Sequence, residues 1–190
     1  MRRSLSLLLI ATVLFLLSAC AEPQSTVSQA VEFRAALVNA GGCIFRAEVT
    51  ADFGDAVQSF SLECSADAEG RTQLTVIAPE SIAGITATVT DAAGTITYDG
   101  MAMDFGLLAD GQVIPAAAPA LTVDCWLNAY IAAAGDEDGR YRVTYEKGYD
   151  EKVLTVDTWF ENGLPISADV CYNQQRILRL TLTDFSYQQQ

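Results

Sequence analysis

From residue 42 onward, apolar and polar side chains alternate in short runs separated by turn residues. Period-two alternation is the signature of strands buried on one face. In CIFRAEVTADFGDAVQSFSLEC, a turn centred on Phe53-Gly54 pairs Cys43 with Cys64, Phe45 with Leu62, and Ala47 with Phe60. All six are apolar, and the intervening Arg46, Glu48, Ser61 and Glu63 are polar. A slip of one residue would reverse every face. ITATVTDAAGTITY turns at Asp91 to Gly94, setting Val89 against Ile96 and Ala87 against Tyr98. Asp99-Gly100 is a strong hairpin signal and places Tyr98 opposite Met101 and Ile96 opposite Met103. Farther along, residues 141–146 and 153–160 turn through Gly148 to Glu151, which opposes Val143 and Val156. The ENGLP turn, closed by Phe160 and Ile166, then opposes Val156 and Val170. Leu178, Leu180 and Leu182 alternate with polar residues and join that face, and the terminal SYQQQ is expected to fray.

Two segments depart from the alternation. Thr26-Val27-Ser28-Gln29 has capping-box form. Val27, Ala30, Val31, Phe33, Leu37 and Val38 follow at helical spacing, and Gly41-Gly42 supplies a stop. A helix over 27–40 is predicted. PAAAPALTVDCWLNAYIAAAG has no turn signal between Pro119 and Gly135. Leu121, Trp126, Leu127, Tyr130, Ile131 and Ala134 recur there at helical spacing, so a second helical block is predicted before GDEDG turns the chain. Together the registers predict an α+β domain. It is a single strongly curved antiparallel sheet, an open half-barrel of about ten strands, with helices on its concave face.

The first twenty residues carry a different pattern. Arg2 and Arg3 precede a run over 5–17 that is apolar except for Ser6 and Thr12. A bilayer-spanning helix needs about 20 apolar residues, whereas this length suits the apolar region of a secretory signal. The run ends in Leu17-Ser18-Ala19-Cys20, which resembles the lipobox of bacterial lipoproteins. That resemblance implies that the Cys20 thiol receives a diacylglyceryl group. It divides the chain into a signal peptide (1–19), a tether (20–25) and a folded domain (26–190). The domain is then expected on the exported side of a cell membrane, anchored through its N-terminal lipid. Two or more acyl chains are what stable anchoring requires.

Charge narrows the function classes. The chain has 11 Lys and Arg against 24 Asp and Glu, no histidine, and a net charge of −13. Without Arg2 and Arg3 the balance is 9 against 24, or −15. An acidic chain is a poor nucleic-acid binder and a poor electrostatic partner for anionic lipid. The missing histidine removes the commonest general base and metal ligand. Walker A, G-x-S-x-G, S-x-x-K and H-E-x-x-H are absent, and the only lysines are Lys147 and Lys152. GDEDGR and GYDEK lack the ligand ladder of a calcium loop. No catalytic residue, cofactor or metal site is expected.

Setting Cys20 aside, Cys43, Cys64, Cys125 and Cys171 remain. An even count in an exported chain points to disulfides, with three connectivities. The first hairpin brings Cys43 to Cys64, and Cys125 with Cys171 follows by exclusion. Reduced, buried thiols are the alternative.

The order helix, six-strand meander, central helical segment, four-strand meander resembles the LolA/LolB-like superfamily. TITYDG and GLLADGQVIPAAAPAL look like its transition from strand to helical lid. The resemblance implies an apolar cavity between sheet and lid that binds acyl chains of lipids or lipoproteins. It would be lined by Phe45, Phe60, Leu62, Ile96, Met103, Val156, Phe160 and Val170, with Trp126 and Tyr130 on the lid. No residue here maps onto the polar family residue that governs acyl transfer, so transfer is not implied. The alternative is a non-catalytic envelope interaction protein with a filled core, binding its partner on the acidic outer face.

Overall fold

A computed structural model describes residues 26–52, 57–90, 93–98, 100–106, 108–109, 112–148 and 153–188. The lipobox and tether lie outside the described residues. The first element, α1 (Thr26–Asn39), buries Ala30, Phe33 and Leu37 and leaves Val27, Val31 and Val38 exposed. Its apolar face is therefore narrower than the spacing predicts. Gly41, at φ +78°, ends the helix. At Gly42, with φ +132°, a Cβ would stand 2.0 Å from the Ala66 carbonyl oxygen. Glycine is required there for β1 to pass close beneath its neighbour.

Six strands follow: β1 (Gly42–Asp52), β2 (Val57–Asp67), β3 (Thr72–Ala78), β4 (Thr86–Thr90), β5 (Ala93–Tyr98) and β6 (Met101–Gly106). A two-stranded ribbon, β7 (Leu108–Ala109) with β8 (Gln112–Val113), leads to α2 (Ala118–Asn128). The last five strands are β9 (Tyr130–Glu137), β10 (Arg140–Lys147), β11 (Leu154–Glu161), β12 (Leu164–Tyr172) and β13 (Gln175–Tyr187). All but β7 and β8 form one antiparallel sheet in the order β6-β5-β4-β3-β2-β1-β13-β12-β11-β10-β9. Two meanders are thus sewn together along β1 and β13. The sheet stays open, with β6 and β9 at its edges. This is the open, helix-bearing antiparallel architecture that the alternation predicts, with eleven strands rather than about ten.

Three hairpin registers differ from expectation by the same amount. Phe45 opposes Cys64 and Ala47 opposes Leu62. Ala87 opposes Ile96, and Tyr145, not Val143, opposes Val156. In β1–β2 and β10–β11 the turn centre lies one residue later than expected and in β4–β5 one residue earlier; either way the pairing moves by two and the buried face is preserved. Tyr98 with Met101 and Ile96 with Met103 pair as predicted, as do Val156 and Val170. At the ENGLP turn a bulge leaves Phe160 opposite Pro165 instead of Ile166. The tail does not fray as far as residue 188. Tyr187 pairs with Cys43, and the Gln188 amide donates to the Gly42 carbonyl at 3.0 Å.

The larger correction concerns residues 129–137. The helix stops at Asn128, and Tyr130 to Glu137 form the edge strand β9 against β10. Alanines carry no strong period, so Tyr130, Ile131 and Ala134 fit helical spacing by coincidence. The β-favouring Tyr-Ile pair and the backbone groups of β10 decide the outcome.

The shortened α2 is apolar on nearly every side. Its buried residues run Ala118 to Val123 and Cys125 to Leu127, interrupted by the partly buried Asp124, while Asn128 is exposed. Such a helix belongs inside a core. Trp126 is fully buried, and its indole Nε1 donates to Thr158 Oγ1 at 2.9 Å. The C-terminal carbonyls of α2 need donors, and α1 supplies them. Arg34 donates from Nε to the Trp126 carbonyl and from Nη2 to the Ala129 carbonyl, both at 2.6 Å. A cation at a helix C-terminus also complements the dipole. The guanidinium sits 5.8 Å from the Tyr145 ring centroid.

The four described cysteines are free thiols, so the expected disulfides are not formed. The shifted register puts Cys43 opposite Ala66 rather than Cys64. Cys43, Cys64 and Cys125 are buried and pack as small apolar side chains. Burial pushes the Cys43 and Cys125 thiols up to about 12 and raises Cys64 as well. Cys171 is half-buried and raised by burial, then by Asp157 and Asp169.

Arg34→Met should lower urea-unfolding stability by about 2–4 kcal/mol, because two charge-assisted bonds vanish and two carbonyls lose their donor. Arg46→Ala, which removes an exposed pair with Glu63, should change it by at most about 1 kcal/mol. Above pH 9 the unfolded chain releases the Cys43 and Cys125 protons while the folded chain keeps them. Stability should therefore fall as pH rises, by about 1.4 kcal/mol per pH unit for each thiol. Urea midpoints at pH 8, 9.5 and 10.5 should fall less steeply in Cys43→Ala/Cys125→Ala; equal slopes would contradict this.

Candidate functional site

The expected cavity beneath the lid is filled. Phe45, Leu62, Trp126, Val156, Phe160 and Val170 all reach the concave side, and all are buried in one continuous core. Trp126 meets Phe33, Phe45 and Phe185 at centroid distances of 5.5, 6.0 and 6.2 Å. The sheet-to-α2 interface is thus an aromatic plug. Phe60 is half-buried beyond it. Ile96 packs partly against the core, whereas Met103 is 68% exposed near the β6 edge. Tyr130 is not on the lid: it begins edge strand β9 and is 73% exposed. Cys20 lies outside the described residues.

A cleft opens elsewhere, between α1 and the ends of β10, β11 and β13. Its volume is about 550 Å³. Phe33 and Ala36 of α1 form one side, and Tyr141, Phe160 and Tyr187 form the other. Tyr141 lies flat on Phe160 with centroids 4.6 Å apart and planes 2° from parallel. Phe33 meets Phe160 edge-on at 4.9 Å and Tyr187 at a tilt of 49° and 6.4 Å. The rings hold one another in offset and edge contacts, the favoured aromatic geometries.

Two tight turns set the mouth. Asp138-Gly139 and Asn162-Gly163 both have positive φ at each residue, the pattern of two-residue hairpin turns. They bring Glu32 of α1, Asp136 of β9, Arg140 of β10 and Glu161 of β11 around one rim. Arg140 Nε stands 3.5 Å from Glu161 Oε1. Burial, then Tyr187 and Glu32, raise the Tyr141 hydroxyl to about 12, so it stays protonated and able to donate.

Few of these residues are visible as a site in the sequence. Phe33 and Phe160 are legible as apolar face positions, but Tyr141, Tyr187 and the acidic rim are not. They come from five elements spread from residue 29 to residue 187, with no local spacing to link them. The described residues hold no cluster of His, Cys, Asp and Glu suited to a metal. No helix among them is long and apolar enough to cross a membrane.

No protein-family model matches the chain, and neither does any curated protein at a significant level. Solved structures do. The LolA superfamily protein of Nitrosomonas europaea is 10% identical, with 87% of this chain and 95% of that one covered and a TM-score of 0.47. The lipoprotein LppX of Mycobacterium tuberculosis is 10% identical over 84% and 92%, with a TM-score of 0.40. A domain assigned to outer membrane lipoprotein sorting from Vibrio parahaemolyticus is 9% identical over 86% and 92%, with a TM-score of 0.51. At that identity the likeness is one of fold: an open antiparallel half-barrel carrying two helices.

Proposed function

We propose that the chain is a lipid-anchored envelope protein that binds an acyl chain of a lipid or lipoprotein in the cleft between α1 and the sheet. The cleft itself carries the reading. Its volume of about 550 Å³ falls within the ~300–1,000 Å³ typical of ligand sites. Its lining combines the aromatic rings of Phe33, Tyr141, Phe160 and Tyr187 with polar groups such as Gln29, Arg140 and Asn162. The fold likeness to a domain assigned to lipoprotein sorting agrees with it. So does the tether, since the six chain steps from Cys20 to Thr26 can reach at most about 20 Å. A lipidated Cys20 would hold the mouth of the cleft close to the bilayer surface.

The filled interior beneath Trp126 favours one alternative, a partner-binding protein that uses its acidic outer face. Native mass spectrometry separates the two. The full chain with Cys20→Ser, purified from a lipid-rich host, should carry adducts of acyl-chain mass. Ala36→Trp, which fills the cleft from α1, should abolish them while melting within about 4 °C of the parent. A bare mass in repeated preparations, or adducts unaffected by Ala36→Trp, would rule out the cleft reading.

A further inference from the structure

The helix α1 turns an apolar stripe outward. Val27, Val31 and Val38 are 48, 52 and 48% exposed. Spaced four and seven residues apart, they fall on one side of the helix, with the exposed Ala35 beside them. Single apolar residues on a surface are ordinary, but these three form a row along one short helix. Valine is also a weak helix former, so propensity does not account for them. The two charged residues of α1 lie off the stripe. Arg34 donates to the carbonyls at the end of α2, and Glu32 borders the cleft. On a chain of net charge −13, the stripe is an exposed helical side without charge.

The chain that precedes the helix points to what this stripe meets. Only six chain steps separate Cys20 from Thr26, a reach of at most about 20 Å. Of the described elements, α1 is the one tied most closely to a lipid on Cys20. Three valines are too few to hold a protein on a bilayer unaided. A tether changes that, because it keeps the stripe at high effective concentration beside the surface. The missing charge sets the kind of contact: burying the stripe in the head-group region desolvates no ion. A second copy of the chain would instead bring another −13 alongside, which opposes pairing through this helix. Gln29 and Ala36 of the cleft sit on the opposite flank of α1, so docking would not seal the cleft.

We infer that α1 is a second membrane contact: its Val27, Val31 and Val38 side lies in the head-group region of the bilayer that anchors Cys20, and so fixes how the domain stands on that membrane. The inference rests on the lipid-anchored reading and adds the face that meets the lipid.

The full chain is isolated from bacterial membranes, and its mass reports whether Cys20 is acylated. It is then reconstituted into phosphatidylcholine vesicles whose acyl chains carry bromine near the head group, a short-range quencher of tryptophan. The tryptophan added by Val31→Trp should be quenched about twofold or more beyond the parent. One added by Thr97→Trp, exposed on β5, should be quenched no more than the parent. Combining Val31→Trp with Val27→Glu/Val38→Glu should remove the excess, because charge then has to enter the interface. Val38→Glu alone serves if the double change unfolds the helix. Equal quenching of the two added tryptophans in the acylated chain would overturn the inference and leave the anchor standing. A dimer in sedimentation that Val27→Glu/Val38→Glu disperses, without excess quenching, would overturn it in favour of a second copy. An unacylated Cys20 would overturn the anchored reading instead. The stripe is then tested with Cys20 coupled to a maleimide phospholipid, where equal quenching overturns it too.

Discussion

Trp126 is where the molecule is fastened. Its indole donates to Thr158 on β11, and its ring meets Phe33 of α1, Phe45 of β1 and Phe185 of β13. Its carbonyl accepts from Arg34 of α1. One residue therefore touches both meanders, the seam between them and the other helix. A buried indole needs a partner for its N–H, and Thr158 supplies it from within an otherwise apolar face. Everything near this point is close-packed. A cleft opens at the end of the sheet, where α1 overhangs the β9–β10 and β11–β12 turns.

The strand pattern was readable because period two tolerates the particular error made. Displacing a turn by one residue in either direction shifts the pairing by two, so Phe45, Leu62, Val156 and Val170 still face inward. Asp99-Gly100 left no such freedom, and its register is as the sequence predicts. The β1–β13 seam was not readable, because its partners lie more than 120 residues apart and share only the general period. The same seam explains Tyr187, whose place depends on Cys43 and not on its polar neighbours. Strand β9 was hidden for the opposite reason. As an edge strand with mostly exposed side chains, it shows no alternation.

The site was less legible than the fold, and the reason is geometric. A concave apolar face reads the same whether it encloses a ligand or a helix. Alternation marked Phe45, Leu62, Val156 and Val170 as inward, but the occupant of that space is α2, apolar on nearly all sides. Its composition was in plain view: nine of its eleven residues are buried. Its shape, a plug rather than a lid, follows only when the sheet wraps around it. The cleft then depends on side chains that no short motif unites.

The latch at the end of α2 also constrains how a ligand could enter. Lifting α2 from the sheet would break both Arg34 bonds and the Trp126–Thr158 bond. Charge-assisted bonds contribute about 1.5–3 kcal/mol each and a neutral one about 1. The aromatic plug would be exposed to water as well. Those losses together approach the whole stability of a typical domain, about 5–15 kcal/mol. A hinged lid over α2 is therefore a poor route. The cleft beside α1 needs no such opening: its walls are preformed by rings stacked on one another, and its mouth is shaped by tight hairpin turns. Binding there would cost little reorganisation, which is the condition under which a small, partly open pocket can still hold a ligand.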